Sequence, residues 1–159
     1  MAARAIVGIA LGMLFLPVIY LFAYGSFWPW ITSIADFNPF LVSYIGSGVT
    51  TMIIPLIGLF DGTYTIDVFL MVFAISIMAW TIIGMWAGAI ERSPGRGIGV
   101  AVGIWLGWLI IQIIVMVIDP TILGPITGFL DYILAEWFAL VIAIIFAAIF
   151  GAMTKSEEF

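Results

Sequence analysis

Long apolar runs, each close to the length a helix needs to cross a bilayer, occupy most of this chain. They cover Ala5–Tyr24, Asn38–Phe60, Ile66–Ile90, Ile98–Ile118 and Tyr132–Met153. A hydrocarbon core about 30 Å thick takes about 20 helical residues to cross. Inside it the backbone must satisfy its own hydrogen bonds, which favours helices for runs of this kind. Composition points the same way: of 159 residues, 65% are hydrophobic and only 8% charged, and the mean hydropathy is +1.34. A water-soluble domain carries about a quarter charged residues. The expected fold class is an all-α integral membrane protein, a compact bundle of 4–5 transmembrane helices forming a single domain over residues 1–159, with no extramembrane domain.

The runs differ in how plainly they read. Ala5–Tyr24 follows Arg4 and contains Pro17. Ala23-Tyr24-Gly25 resembles a small-x-small cleavage site, but 20 apolar residues exceed an ordinary signal-peptide core, so a retained helix is expected. Phe27-Trp28-Pro29-Trp30 suits a non-spanning segment at the headgroup level. Asn38–Phe60 is uncharged and long enough to cross, yet Gly46-Ser47-Gly48 and Pro55 interrupt it, so a broken spanning helix and a re-entrant loop both fit. Glu91-Arg92-Ser93-Pro94-Gly95-Arg96-Gly97 reads as a tight connection between antiparallel helices. Asp61-Gly62, then Asp119-Pro120, Gly124-Pro125 and Gly128, mark further loops, and Thr154–Phe159 is a short polar tail.

Lys and Arg prefer the cytoplasmic side of a membrane. If Asn38–Phe60 does not cross, Arg4, Arg92, Arg96 and Lys155 all fall inside; if it crosses, Arg4 alone falls outside. Both alternatives place the Arg92/Arg96 loop in the cytoplasm of a cell-membrane protein, with Asp61, Asp67, Asp119, Asp131 and Glu136 opposite. An internal echo favours the crossing. Shifted by 95 positions, Val7–Phe37 matches Val102–Tyr132 at ten of 31 positions, including Ile-Thr-x-x-x-Asp in both copies. With five spans the copies would be inverted, as in many transporters.

Histidine and cysteine are both absent, which removes the usual ligands of haem, iron–sulfur clusters, zinc and copper. It also removes catalysis by an imidazole base or a thiolate. Four scattered Lys and Arg residues do not build a nucleic-acid groove, and no nucleotide-loop, zincin or nucleophile-elbow pattern occurs. The expectation is a protein that is not an enzyme and carries no cofactor.

Small residues supply the remaining signal. Gly95, Gly99, Gly103 and Gly107 recur at every fourth position, as do Ala135, Ala139, Ala143, Ala147 and Gly151, while Gly8/Gly12 and Gly84/Gly88 repeat the spacing. Such glycine zippers let helix backbones approach closely in lipid, within one monomer or against another subunit. Glu136 and Asp67 lie near helix N-termini, where the dipole favours negative charge. They read as interface anchors or as an ion or proton site, with Glu136 the stronger candidate. Gln112 suits an interhelical hydrogen bond. Trp80, Trp105 and Trp108 suit packing or the wall of a quinone, lipid or pigment site, and Ser43–Thr51 gathers hydroxyls and glycines in a pore-like pattern. Taken together, the leading expectation is an accessory or structural subunit docking on other integral membrane subunits, with membrane lipids around it. The alternative is a small homo-oligomeric channel or transporter for an ion or small solute.

Overall fold

A computed structural model describes residues 2–52, 65–118 and 129–155. The chain forms α1 (Ala2–Ala23), α2 (Phe27–Thr32), a 3-10 turn (Ser33–Ala35), α3 (Phe37–Met52), α4 (Ile66–Glu91), α5 (Pro94–Ile118) and α6 (Phe129–Met153), and there is no strand among the described residues. Among the described residues, three helical stretches are long and apolar enough to cross a membrane: Ala3–Ala23, Leu70–Glu91 and Pro94–Val115. Trp137–Met153 is a shorter apolar helix. Pro55, Asp61, Asp119 and the Gly124-Pro125 and Gly128 loop signals lie outside the described residues.

The helix ends follow from local chemistry. Gly25 has φ +67, the left-handed conformation that glycine adopts without penalty. That turn lets Ser26 N–H donate to Leu21 O at 2.9 Å and Gly25 N–H donate to Phe22 O at 3.1 Å, the paired bonds that close a helix C-terminus. The α4–α5 connection is tighter. Arg92 takes φ 50 and its N–H donates to Gly88 O at 3.0 Å; Pro94 then opens α5, where its missing N–H costs nothing. Gly97 N–H returns to Ser93 O at 2.9 Å. The tight antiparallel connection expected from residues 91–97 is therefore present.

One expectation fails. Gly46-Ser47-Gly48 does not interrupt its helix, because α3 runs unbroken from Phe37 to Met52. Gly48 is instead the floor for the Trp108 indole, whose ring tip occupies the place a Cβ would take. The flat six-membered edge packs directly on the helix backbone.

Helix directions are fixed by pairs of touching residues. Gly8 meets Val100 and Gly12 meets Ile104, while Gly103 meets Ile9 and Gly107 meets Met13, so α1 runs parallel to α5. Gly8 also faces Ile90, and Phe15 packs edge-on against Trp86 with ring centroids 5.9 Å apart, so α1 runs antiparallel to α4. Gly84 faces Ala143 and Gly88 faces Ala147, so α4 and α6 are parallel. The echo copies in α1 and α5 thus point the same way, not in the inverted sense that five spans imply. A continuous core joins these helices through Leu16, Trp80, Ile83, Val100, Ile104 and Trp108, together with the alanines of α4, α5 and α6.

Candidate functional site

Between α4 and α6 the two helix backbones come into direct contact. A Cβ at Gly84 would lie 2.5 Å from Ala143 O and 2.9 Å from Phe146 Cβ, and one at Gly88 would lie 2.6 Å from Gly151 N as well as against Ala147 O. On the other side Ala139, Ala143 and Ala147 are fully buried, and a Cβ at Gly151 would sit 2.7 Å from the Ser93 carbonyl carbon. Backbone meets backbone along this seam. Gly97, which the four-residue spacing omits, completes it: its Cβ would lie 2.8 Å from Gly88 Cα.

The α5 stripe divides. Gly103 and Gly107 receive Ile9 and Met13 of α1, whereas a Cβ at Gly95 or Gly99 would meet nothing within 4 Å, and both residues are exposed. A step of four residues overshoots the 3.6-residue turn by about 40°, so the stripe winds around its helix and faces different neighbours at its two ends. On α6 the same drift stays in contact, because α4 follows that row.

Buried polar groups form a second feature. Gln112 on α5 is 1% exposed, and neither its Oε1 nor its Nε2 has a hydrogen-bond partner among the described residues; the interhelical bond expected of it is not made there. Ser76 on α4 is 0% exposed with its hydroxyl unpartnered, and the buried Trp108 Nε1, one turn before Gln112 on the same face, is unpartnered too. Burying such groups unpaired costs about 1–3 kcal/mol each. Ser76 carries no role in the sequence reading, although a hydroxyl in an apolar run is a readable signal. That reading also treated Glu91 only as a loop residue, yet Glu91 is 6% exposed with one carboxylate oxygen unpartnered.

Two hydroxyls of α3 bond within the fold. Ser47 Oγ donates to Ser43 O at 2.6 Å, and Tyr44 OH donates to Leu14 O of α1 at 2.6 Å. Asp67 is exposed in the first turn of α4. Glu136 lies within α6, and its side chain is outside the described residues. Trp80 and Trp108 are core residues, and Trp105 is partly buried against the same core.

The helix directions gather the basic residues at one end. The α1 N-terminus, the α4–α5 turn and the α6 C-terminus share one end of the bundle, with Thr154 Oγ1 within 3.4 Å of Gly88 O. Arg4, Arg92, Arg96 and Lys155, the four basic residues of the chain, therefore gather at that end. Asp67 occupies the other. Between α1 and α4 at the basic end lies a groove of about 690 Å³ that both Arg4 and Arg92 line. Beyond Trp86 it is followed by an entirely apolar hollow of about 210 Å³ walled by Phe15, Ile19, Ile82 and Ile83.

No family model, no curated protein and no solved structure matches this chain. What the fold defines is a helical bundle with, among the described residues, three helices long and apolar enough to span a membrane.

Proposed function

We propose that the chain is a non-catalytic subunit of a membrane assembly, crossing the cell membrane four times and docking on other integral subunits through the outer face of α5. The observation that carries this reading is the open small-residue surface at Gly95 and Gly99, which no described residue covers. Further along the same face Leu106 and Ile110 are exposed. Lipid provides no hydrophobic drive for covering such a face, but a partner helix gains close van der Waals contact there.

Helix direction supports four crossings. Because α1 and α4 are antiparallel neighbours, the chain between them returns to the end of the bundle from which it left, so α3 enters from that end without being a single full span. α6 is the fourth crossing, and the basic end faces the cytoplasm.

Purification in mild detergent tests the docking reading. The protein should migrate with larger partners, and Gly95→Leu with Gly99→Leu should release it from them while leaving the isolated chain folded. Migration alone as a homogeneous species, or undiminished assembly of the double variant, refutes it. A second reading, conduction of a small solute, draws support from Gln112, Ser76 and Trp108, which hold unpaired polar atoms inside the bundle. Liposome flux that is present in the parent and lost in Gln112→Leu would favour it.

A further inference from the structure

We propose that the groove between α1 and α4 is a binding site for one anionic phospholipid, its phosphate held by Arg4 and Arg92 and one acyl chain lying against Trp86, Phe15 and Ile82. This rests on the reading of the chain as a membrane protein with its basic end at the cytoplasmic leaflet.

Three properties of the groove converge on that ligand. Its mouth carries two guanidiniums, one from α1 and one from the residue that ends α4, both exposed, and neither is paired with a carboxylate among the described residues. Glu91, the acidic neighbour of Arg92, is buried and does not line the groove. A phosphate accepts hydrogen bonds from such forks in a bidentate manner. The second property is the change of character with depth: beyond Trp86 the lining is wholly apolar. A free anion has no use for that extension, whereas an acyl chain does. The third is length. From Gly8 to Ile19 the α1 wall rises about 16 Å, close to the roughly 15 Å that one leaflet contributes to the hydrocarbon core. The α4–α5 turn contributes directly, because the left-handed conformation of Arg92 ends α4 and leaves its side chain at the groove mouth.

The test uses the full chain in detergent, titrated with phosphatidylglycerol or with phosphatidylcholine of identical chains, and counts retained lipid by native mass spectrometry. The parent should retain phosphatidylglycerol about 25-fold better, at roughly fivefold for each of the two arginines. Arg4→Gln combined with Arg92→Asn should abolish the preference; asparagine is chosen because it tolerates the left-handed backbone. Arg96→Gln with Lys155→Gln, which neutralises the other two cations, should leave it intact. Ile82→Trp should lower retention of both lipids by filling the apolar hollow. Equal retention of the two lipids by the parent overturns the proposal. So does loss of preference in the Arg96/Lys155 pair, or displacement of the lipid by equimolar glycerol phosphate, which would mark a site for free anions. The parent comparison and Arg4→Gln alone remain decisive if the double variant fails to fold. A chain that stays monodisperse without detergent would remove the underlying membrane reading instead, a result distinguishable from lipid indifference in detergent.

Discussion

Replacing Gly84 by alanine tests whether the α4–α6 seam holds the bundle together. The added methyl carbon would sit 2.5 Å from Ala143 O, 2.9 Å from Phe146 Cβ and 3.1 Å from Ala143 Cα, where ordinary contact begins at 3.4 Å. Two of these three atoms belong to backbone, so no rotamer change relieves the overlap; α4 and α6 must separate by about 0.9 Å. A gap of about 0.5–1 Å forfeits a quarter to a half of the dispersion energy of each atom pair it opens. The same shift is felt one turn on, where Gly88 faces Gly151 and Ala147. Overpacking of this kind costs about 1–3 kcal/mol, and the backbone character of the clash places Gly84→Ala near the upper end. Gly99→Ala is the matched control: its methyl group meets nothing within 4 Å, and alanine is the better helix former by about 0.5–1 kcal/mol. Both variants add one methyl to a glycine of a four-residue repeat, so only position distinguishes them. Reversible unfolding in mixed micelles, followed by circular dichroism, should show Gly84→Ala destabilised by about 2–3 kcal/mol and Gly99→Ala unchanged or slightly stabilised. Equal stability of the two variants would refute the assignment of the seam.

Other perturbations probe the remaining features. Gln112→Met removes two unpartnered amide atoms while nearly conserving volume, and should stabilise the isolated protein by about 1–3 kcal/mol; a loss of stability in the same micelle assay would mean that the amide is bonded in the working protein. Arg92→Gly relieves the left-handed conformation of a residue with a Cβ and should gain about 1 kcal/mol, and a lower unfolding midpoint would count against the turn as described. Single cysteines at Ala3 and at Lys155, labelled from one side of sealed vesicles, should react on the same face, since both positions lie at the basic end of the bundle. Labelling on opposite faces would reject four crossings.

Much of this architecture was legible in the chain itself. Runs of apolar residues near the length of a bilayer crossing dictate helices wherever they fold, because hydrocarbon leaves no other partner for the backbone. The Glu91–Gly97 connection was equally plain, since proline, glycine and charge cluster at one point. Four-residue spacing of glycine and alanine marked helix faces lined by small residues.

Spacing did not reveal which partner each face meets. Gly84 and Gly88 of α4 press on backbone, whereas along α5 Gly103 and Gly107 receive side chains and Gly95 and Gly99 are left open among the described residues; the α5 repeat meets two environments because it winds about 40° per step around its helix. Gly46-Ser47-Gly48 looked like a break, yet an indole from α5 makes one of its glycines a packing surface. The direction of α1 relative to α4 was also beyond the sequence, because apolar runs are long enough in either sense. That direction brings Arg4 beside Arg92, residues with no local relation along the chain, and creates the groove between them. Local composition determines what can lie in lipid; only the packing of one helix against another decides which charges and which bare backbones end up side by side.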